Sequence, residues 1–348
     1  MIRKARPGPV PPAPWTAIDV SGYTEIMVAE DLAGRMRSAA VALIGALDDG
    51  QRELAARPFG DTASRRWLEY RPEYRPGACL ADFPNTARKA AFRLLATGLS
   101  GPAYAQAMGI IALEETLDRL EGWVRGRHSG DYWVSVYGDP AGSSGGGPWG
   151  WRFEGHHLSV SMTVAGGRVS PAPVFLGANP HRISHAGHAV SRPLAPEEDL
   201  ARALLDALGP AGRSAAVVSG SAPSDIVSGP RGDIPAVEPC GVAAADAGPA
   251  ARAALDGLLA LYLGRLPDEL AAAEYDRVSA QGDLRFAWAG PTTPGAGHYY
   301  RLQADDLLIE YDNTQNGANH AHTVLRRPRS DFGADILAAH YAAAPHSR

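Results

Sequence analysis

The sequence predicts an α+β fold, because its helical and strand-like patterns fall in separate blocks. Apolar residues recur at helical spacing before residue 131 and again between residues 196 and 280. Segments 131–180 and 284–326 instead alternate apolar and polar residues, as half-buried strands do. Such blocks are typical of α+β proteins rather than of parallel doubly wound sheets. We therefore expect N-terminal helices packed on a mostly antiparallel sheet, or a partial barrel, that carries the histidine motifs described below.

The chain is expected to form one domain over residues 29–345, preceded by a flexible arm at residues 1–28. The arm repeats proline, which removes backbone donors and favours an extended chain; the prolines are Pro7, Pro9, Pro11, Pro12 and Pro14. Within the domain we expect a helical part at 29–130, a strand-rich part at 131–180 and 284–326, and a helical excursion at 196–280.

The helical part contains three predicted helices, at 29–47, 86–97 and 102–124. Pro102 stands near the start of the third helix, where a missing backbone N–H costs nothing. This helix carries Glu114 and Glu115 among apolar residues. Its periodicity places Glu114 beside the apolar face and Glu115 in solvent.

The strand-rich part contains predicted strands at 132–137, 149–154, 156–164 and 168–176, then at 284–288, 298–303 and 307–312. Gly166 and Gly167 mark a hairpin turn between two of them. The excursion contains predicted helices at 197–208, 250–263 and 268–278, with a long loop at 209–250. A helix at 335–341 closes the chain.

Composition narrows the class of protein. The net charge of −5, with no cluster of Lys and Arg, argues against nucleic-acid binding. No segment has the roughly 20 apolar residues that span a bilayer, so no membrane partner is expected. The basic start lacks the apolar run of a secretory signal, and Cys79 and Cys240 suit reduced thiols in the cytoplasm. With only two cysteines, a transition-metal site must rest on histidines and carboxylates.

Four of the 11 histidines fall in two short segments. His156 and His157 are adjacent, whereas His320 and His322 form an H-x-H pattern. Alternate side chains of a strand share one face, so His320 and His322 are expected to point at one ion. In a strand that begins at His156, His157 would lie on the polar face and His156 on the apolar face. Both could then bind a metal only at a bulge or at the end of the strand.

Several long segments resemble the family catalogued as domain of unknown function 3500. They comprise residues 148–159 (PWGWRFEGHHLS), 175–180 (FLGANP) and 308–322, together with Asp331-Phe332-Gly333 and His340-Tyr341. The resemblance covers roughly residues 30–345. Ser161 departs from the asparagine that the resemblance leads us to expect. The family implies no established reaction, so chemistry must be inferred from the residues.

The histidines predict a site for a divalent transition metal, with ligands drawn from His156, His157, His320 and His322. Zinc is the first expectation, and copper or iron remain open, because three imidazoles with an open position suit all three. Nearby carboxylates are candidates for a general base or for residues that orient the ligands; they are Glu154, Glu310 and Asp312. The alternative is that the histidines only form hydrogen bonds or fill a core.

Polar side chains beside the histidines predict a small polar substrate. Amides that both donate and accept hydrogen bonds follow a strand; they are Asn313, Gln315, Asn316 and Asn319. A local turn explains the same cluster equally well. Arg75 could receive a carboxylate. The expected function is a metal-dependent hydrolase, with a copper- or iron-dependent oxidoreductase and a noncatalytic binding protein as alternatives. The sequence does not specify an oligomeric state.

Overall fold

The computed structural model describes residues 31–142, 146–230 and 232–343. The predicted arm at residues 1–28 lies outside these ranges. The described helices are α1 (Leu32–Ala46), α2 (Asp49–Ala55), α3 (Thr62–Arg65), α4 (Asn85–Thr97), α5 (Gly101–Leu120), α6 (Ala195–Ala207), α7 (Gly209–Ala216), α8 (Pro249–Leu263), α9 (Asp268–Gln281) and α10 (Ala334–Ala343).

The described strands are β1 (Ala56–Arg57), β2 (Ala78–Cys79), β3 (Tyr132–Tyr137), β4 (Trp149–Gly155), β5 (Leu158–Ala165), β6 (Arg168–Ser170), β7 (Val174–Ala178), β8 (Ile183–His185), β9 (His188–Ser191), β10 (Val217–Ser219), β11 (Val242–Ala243), β12 (Arg285–Ala289), β13 (Tyr299–Ala304), β14 (Leu307–Gln315) and β15 (His320–Arg326). All except β8 and β9, which pair with each other, belong to one sheet.

The sheet confirms the α+β prediction. Its order is β1-β3-β4-β5-β7-β15-β14-β13-β12-β10, with β2, β6 and β11 beside β3, β5 and β12. Every pairing is antiparallel except β1 with β3 and β10 with β12. The path begins at β1 and ends at β10, so the described strands form an open sheet and not a barrel.

The pairing of β7 with β15 joins the two strand-rich parts of the chain. Gly177 of β7 lies opposite His322 of β15. On its other edge β7 pairs with β5, with Leu176 opposite Leu158. Strands from residues 158–178 and 307–326 therefore become neighbours at the middle of the sheet. This pairing carries the two histidine segments to the same place.

Side chains explain where several helices begin. The Asp31 carboxylate accepts a hydrogen bond from the Gly34 N–H at the start of α1. At α2, Asp48 and Gln51 form a reciprocal capping box at 2.8 and 3.2 Å. Ser100 caps α5, whose first turn contains the proline predicted there.

The core lies mainly between the helices and one face of the sheet. Leu158, Val160 and Met162 of β5 lie in that core, as their alternation predicts. Segments around residues 64–75 and 225–235 contact the opposite face and form a smaller apolar cluster there. Its members are Leu68, Tyr70, Phe175, Ile226 and Val324. The opposite face is the one that carries His322, two positions from Val324.

The predicted helix at 102–124 is too long at its C-terminal end, since α5 stops at Leu120. Gly122 and Trp123 have φ angles of 74° and 62°, which end the helix. The Trp123 N–H donates to the Asp118 carbonyl at 2.8 Å. Within α5 the predicted faces are correct, because Glu114 is buried and Glu115 is exposed.

Other predicted boundaries also change. The strand predicted at 168–176 divides into β6 and β7 around Pro171 and Pro173, which lack the N–H needed for pairing. The predicted loop at 209–250 includes α7, β10 and β11, and the sequence did not predict the β8–β9 hairpin. The strand predicted at 307–312 continues to Gln315. Within the described ranges, we find no helix long and apolar enough to cross a membrane.

Candidate metal centre

Three imidazoles from the two histidine segments meet at one end of the sheet. The Nε2 atoms of His157 and His320 are 2.7 Å apart. His322 joins them, and one ring nitrogen from each of the three lies within 4.8 Å of the others. The prediction that the two segments meet in space is confirmed. Nitrogens this close can hold one ion after small adjustments.

His156 and His157 form the two-residue turn between β4 and β5, so the predicted strand start at His156 is wrong. His157 has a φ of 62°, a backbone conformation suited to a tight turn. Its N–H donates to the Tyr70 carbonyl at 3.0 Å, and its carbonyl accepts from the Gly177 N–H at 2.7 Å. The Tyr132 hydroxyl donates to the His156 carbonyl at 2.9 Å. These bonds hold both histidines at the end of the strands.

Gly177 allows the histidines to approach each other. A Cβ atom at this position would lie 2.8 Å from Cδ2 of His157 and 3.1 Å from Cδ2 of His322. Carbon atoms at such distances repel strongly, so a larger residue would push the rings apart. The glycine in the segment Phe175 to Pro180 is thus a spatial requirement of the histidine cluster.

Burial keeps two of the rings neutral. It lowers the pKa of His157 well below the ordinary value of 6.5, and positive charge on neighbouring imidazoles would lower it further. The same causes lower the pKa of His320 to about 3. A neutral imidazole keeps a lone pair for a metal. The cluster therefore presents ligands in the protonation state that a transition metal needs.

Asp225 orients the third ring. His322 Nδ1 lies 2.7 Å from the Asp225 carboxylate, which leaves Nε2 as the free nitrogen. Burial alone would raise the pKa of Asp225, but hydrogen bonds from His322, the Ile226 N–H and Tyr70 lower it overall. Tyr70 donates to the second carboxylate oxygen at 3.1 Å. A carboxylate behind a ligating histidine is a common second layer of metal sites.

His156 belongs to a neighbouring group with Glu114. Its Nδ1 lies 2.5 Å from Glu114, and its ring lies on that of His157 with centroids 3.7 Å apart. Glu114, His156 and His157 also offer ligand atoms within 4.8 Å of one another. However, an Arg127 nitrogen lies 3.3 Å from the same His156 Nδ1. A guanidinium this close opposes a cation, so the geometry favours the set of His157, His320 and His322.

Asp312 is the predicted carboxylate that lies directly beside the cluster. It is opposite His322 in the pairing of β14 with β15. Its Oδ1 accepts hydrogen bonds from the Thr314 N–H and hydroxyl at 3.1 and 3.0 Å. Its Oδ2 is buried without a hydrogen-bond partner among the described residues. Burial raises the pKa of this carboxyl to about 6.

The other two predicted carboxylates have different surroundings. Glu310 accepts hydrogen bonds from the Val227 N–H at 2.6 Å and from the Tyr299 hydroxyl at 2.9 Å. It thereby holds the segment that contains Asp225. Glu154 is fully buried, lies 3.0 Å from Arg152 and accepts from Ser159 at 3.1 Å. Its contacts with other described side chains are with Arg75, Arg152 and Ser159, and not with the histidines.

Comparison with known proteins gives one family. The sequence model of one protein family, described as a protein of unknown function (DUF3500), matches residues 29–334. The chain belongs to the DUF3500 family. No curated protein matches it. No solved structure matches it. The matched range includes the three histidines of the cluster, the neighbouring His156 and Asp225, so the candidate centre lies entirely within the DUF3500 region.

The amides of the DUF3500 chain lie around the centre but already have partners. Asn313 faces away from His322, since it alternates with Asp312 along β14, and its Oδ1 accepts from the His298 N–H at 2.8 Å. Asn319 Oδ1 accepts from the Arg182 N–H at 2.6 Å. Gln315 donates to the Ser224 carbonyl, and Asn316 donates to the side-chain oxygen of Asn179. These bonds shape the loops beside the H-x-H pattern.

Sequence reasoning missed two residues of this DUF3500 chain that contact the histidines, Asp225 at His322 and Arg127 at His156. Asp225 lies in a Gly/Ala/Ser/Pro-rich stretch that predicted only a loop, 97 positions from His322. Arg127 follows α5 with no motif around it. Glu114 gave a weak signal, as an acid beside an apolar helical face. Arg75, the predicted carboxylate receptor, is buried beside Trp133 in a cleft that reaches His156.

Proposed function

We propose that this protein is a metal-dependent hydrolase that uses His157, His320 and His322 to hold one zinc ion. The observation that carries the proposal is the convergence of three imidazole nitrogens within 4.8 Å. Three protein ligands with one open position are typical of catalytic rather than structural zinc sites.

The residues fit a zinc ion with a small adjustment. Two ligand nitrogens of a tetrahedral zinc site lie about 3.3 Å apart, because each Zn–N bond is about 2.0–2.1 Å. His157 and His320 stand at 2.7 Å, a hydrogen-bond distance. They would have to separate by about 0.6 Å to reach the tetrahedral spacing. His320 is only partly buried and begins β15, so its ring has room to move.

Bound zinc would supply a Lewis acid and a water of lowered pKa at the open position. The chain contributes the rest. Asp225 holds the His322 ring in one orientation, and the turn hydrogen bonds fix His157. Asp312 places an uncommitted carboxylate oxygen beside His322, which suits acceptance of a proton from the attacking water. Glu310 acts further away, by holding the Asp225 segment.

Metal analysis tests the proposal most directly. The protein is purified without chelators, and bound metals are measured by mass spectrometry. We expect about one zinc per chain, with hydrolysis of 4-nitrophenyl acetate that is lost on chelation and restored by zinc. Stoichiometric copper or iron would instead support the oxidoreductase alternative. No bound metal, together with no zinc binding by calorimetry, would contradict the proposal and leave a noncatalytic binding protein.

A further inference from the structure

A cleft of about 410 Å³ opens beside His156. Its floor is built from charged or polar side chains that are each at most one-tenth exposed; they are Arg75, Glu114, Arg127 and His156. Its upper walls include the half-buried Trp133 and Tyr74, which is 87% exposed. A volume of this size suits a small molecule. Buried charges at the bottom of an open cleft are typical of binding sites.

Arg75 carries positive charge that its surroundings balance incompletely. Its Nε lies 3.6 Å from Glu154, beyond hydrogen-bond distance. Arg152 approaches the other oxygen of this carboxylate, Oε2, to 3.0 Å, whereas the Oε1 that faces Arg75 accepts no hydrogen bond from a described residue. The Arg75 Nε is buried without a hydrogen-bond partner among the residues that the structure describes. A negative group in the cleft would complete the environment of this guanidinium.

Arg125, at the rim of the cleft, also lacks a carboxylate within hydrogen-bond distance. It approaches Glu121 only to 3.6 Å, and its side chain is 61% exposed. Arg127 occupies both oxygens of Glu121, at 2.8 and 3.1 Å. Two arginines that line the cleft therefore lack a carboxylate within hydrogen-bond distance. An anionic group between Arg75 and Arg125 would be attracted by both.

The same cleft also presents acidic groups. Glu73 and Asp131 line it. Among the described residues none donates a hydrogen bond to the Glu73 carboxylate, whereas the backbone of His128 donates to the Asp131 carboxylate. Glu114, by contrast, is engaged by His156 at 2.5 Å. The cleft thus offers one set of available positive charges and one set of available negative charges, with aromatic walls between solvent and floor.

We infer that this cleft binds a small zwitterion with a flat apolar body, of the kind that a free aromatic amino acid represents. The ligand carboxylate lies towards Arg75 and Arg125, and its ammonium lies towards Glu73 and Asp131. The flat body packs against Trp133 and Tyr74. The cleft floor contains His156, whose ring centroid lies 3.7 Å from that of His157, so a ligand here lies beside the candidate metal centre. That this ligand is a substrate rests on the proposed hydrolase function, whereas its binding to the cleft needs no metal.

Calorimetry on the full chain tests the charge requirement, with and without added zinc. The probes are L-phenylalanine, 3-phenylpropionate, which lacks the ammonium, and phenethylamine, which lacks the carboxylate. We expect L-phenylalanine to bind at least about 10-fold more tightly than either single-charge probe. Equal affinities for L-phenylalanine and one single-charge probe, or no saturable binding of L-phenylalanine, would overturn the inference. Failure of zinc binding with L-phenylalanine still bound would contradict the hydrolase alone.

Variants test the placement of the ligand. Arg125→Met removes an exposed side chain, so folding should be unaffected. In this variant L-phenylalanine should bind no better than phenethylamine. In the double variant Glu73→Gln/Asp131→Asn it should bind no better than 3-phenylpropionate. Arg37→Met is the matched control, because Arg37 is an exposed arginine on α1, away from the cleft. Wild-type preferences in both test variants would place the ligand elsewhere and overturn the inference.

Discussion

His157 and His320 approach each other to 2.7 Å between their Nε2 atoms, although 163 positions separate them in the chain. One ring stands in a hairpin turn and the other opens a strand on the far side of β7. Both rings are neutral at pH 7, because burial lowers the pKa of each. Two uncharged imidazoles therefore face each other, and the His322 imidazole lies beside them.

Loss of a ligand should remove the metal and keep the fold. We expect His320→Ala and His322→Ala each to weaken zinc binding by about 100-fold or more, because two imidazoles remain where three stood. His320 is only partly buried, so its truncation opens little core volume. Calorimetry measures the affinity, and circular dichroism measures the fold. His188→Ala, at an exposed histidine of β9, is the control. Unfolding of both variants would favour a structural role for the histidines.

Gly177→Ala should damage the centre through sterics alone. The new Cβ would lie 2.8 Å from the His157 ring and 3.1 Å from the His322 ring. We expect a loss of stability of about 1–3 kcal/mol, as for other overpacked sites, and a large loss of zinc affinity. Thermal unfolding and calorimetry measure the two effects. Gly45→Ala is the control, since a Cβ there meets nothing within 4 Å. Normal zinc binding by Gly177→Ala would mean that the rings need not be this close.

Asp225→Asn should weaken the metal site from its second layer. The substitution keeps the shape but removes the charge 2.7 Å from His322 Nδ1. Loss of such a partner costs about 10–100-fold in metal affinity or activity. Zinc titration measures the change, with the exposed Asp246→Asn as a control. If both variants bind zinc as the wild type does, Asp225 does not support the ligand.

Asp312→Asn and Glu310→Gln should separate catalysis from support. One oxygen of Asp312 accepts no hydrogen bond from a described residue and lies beside His322. The Asp312→Asn variant should therefore lose about 100-fold or more in kcat for 4-nitrophenyl acetate, the usual cost of losing a general base. Its zinc content should be unchanged. Glu310 holds backbone N–H groups, so its variant should mainly lose thermal stability. Wild-type kcat in Asp312→Asn would exclude it as the base and direct attention to Glu154 or Glu114.

Acid should destabilise the fold partly through His298, which stacks between Trp288 and Tyr311. Burial lowers its folded-state pKa from 6.5 to about 4. Below pH 6.5 the unfolded chain therefore takes up a proton that the folded chain refuses. His298 imposes no penalty above pH 6.5, and stability falls by roughly 1.4 kcal/mol per pH unit as the pH drops towards 4.

The measurement for this prediction is the free energy of unfolding of metal-free protein between pH 4 and 7. His298→Phe keeps an aromatic ring in the stack and cannot titrate, so its curve should be shallower than that of the wild type over this interval. His188→Ala removes an exposed histidine and should leave the slope unchanged. Parallel curves for His298→Phe and the wild type would show that His298 does not cause the acid sensitivity.

The sequence by itself determined the fold class, most elements and the side-chain faces within them. Alternation placed Leu158, Val160 and Met162 in the core, and helical spacing buried Glu114 rather than Glu115. His320 and His322 were correctly placed on one strand, two positions apart. These properties depend on period and local chain geometry, which neighbouring residues specify.

The tertiary structure decided which groups meet. The pairing of β7 with β15 brought His157 to His320, and the turn at His156 and His157 followed from bonds to Tyr70 and Gly177. Asp225 reached His322 only because its segment folds across the sheet and is held by Glu310. No local period encodes such contacts, because they depend on long-range strand pairing and on the burial of polar groups that need partners. The faces are thus a property of each strand, whereas the candidate centre is a property of the assembled sheet.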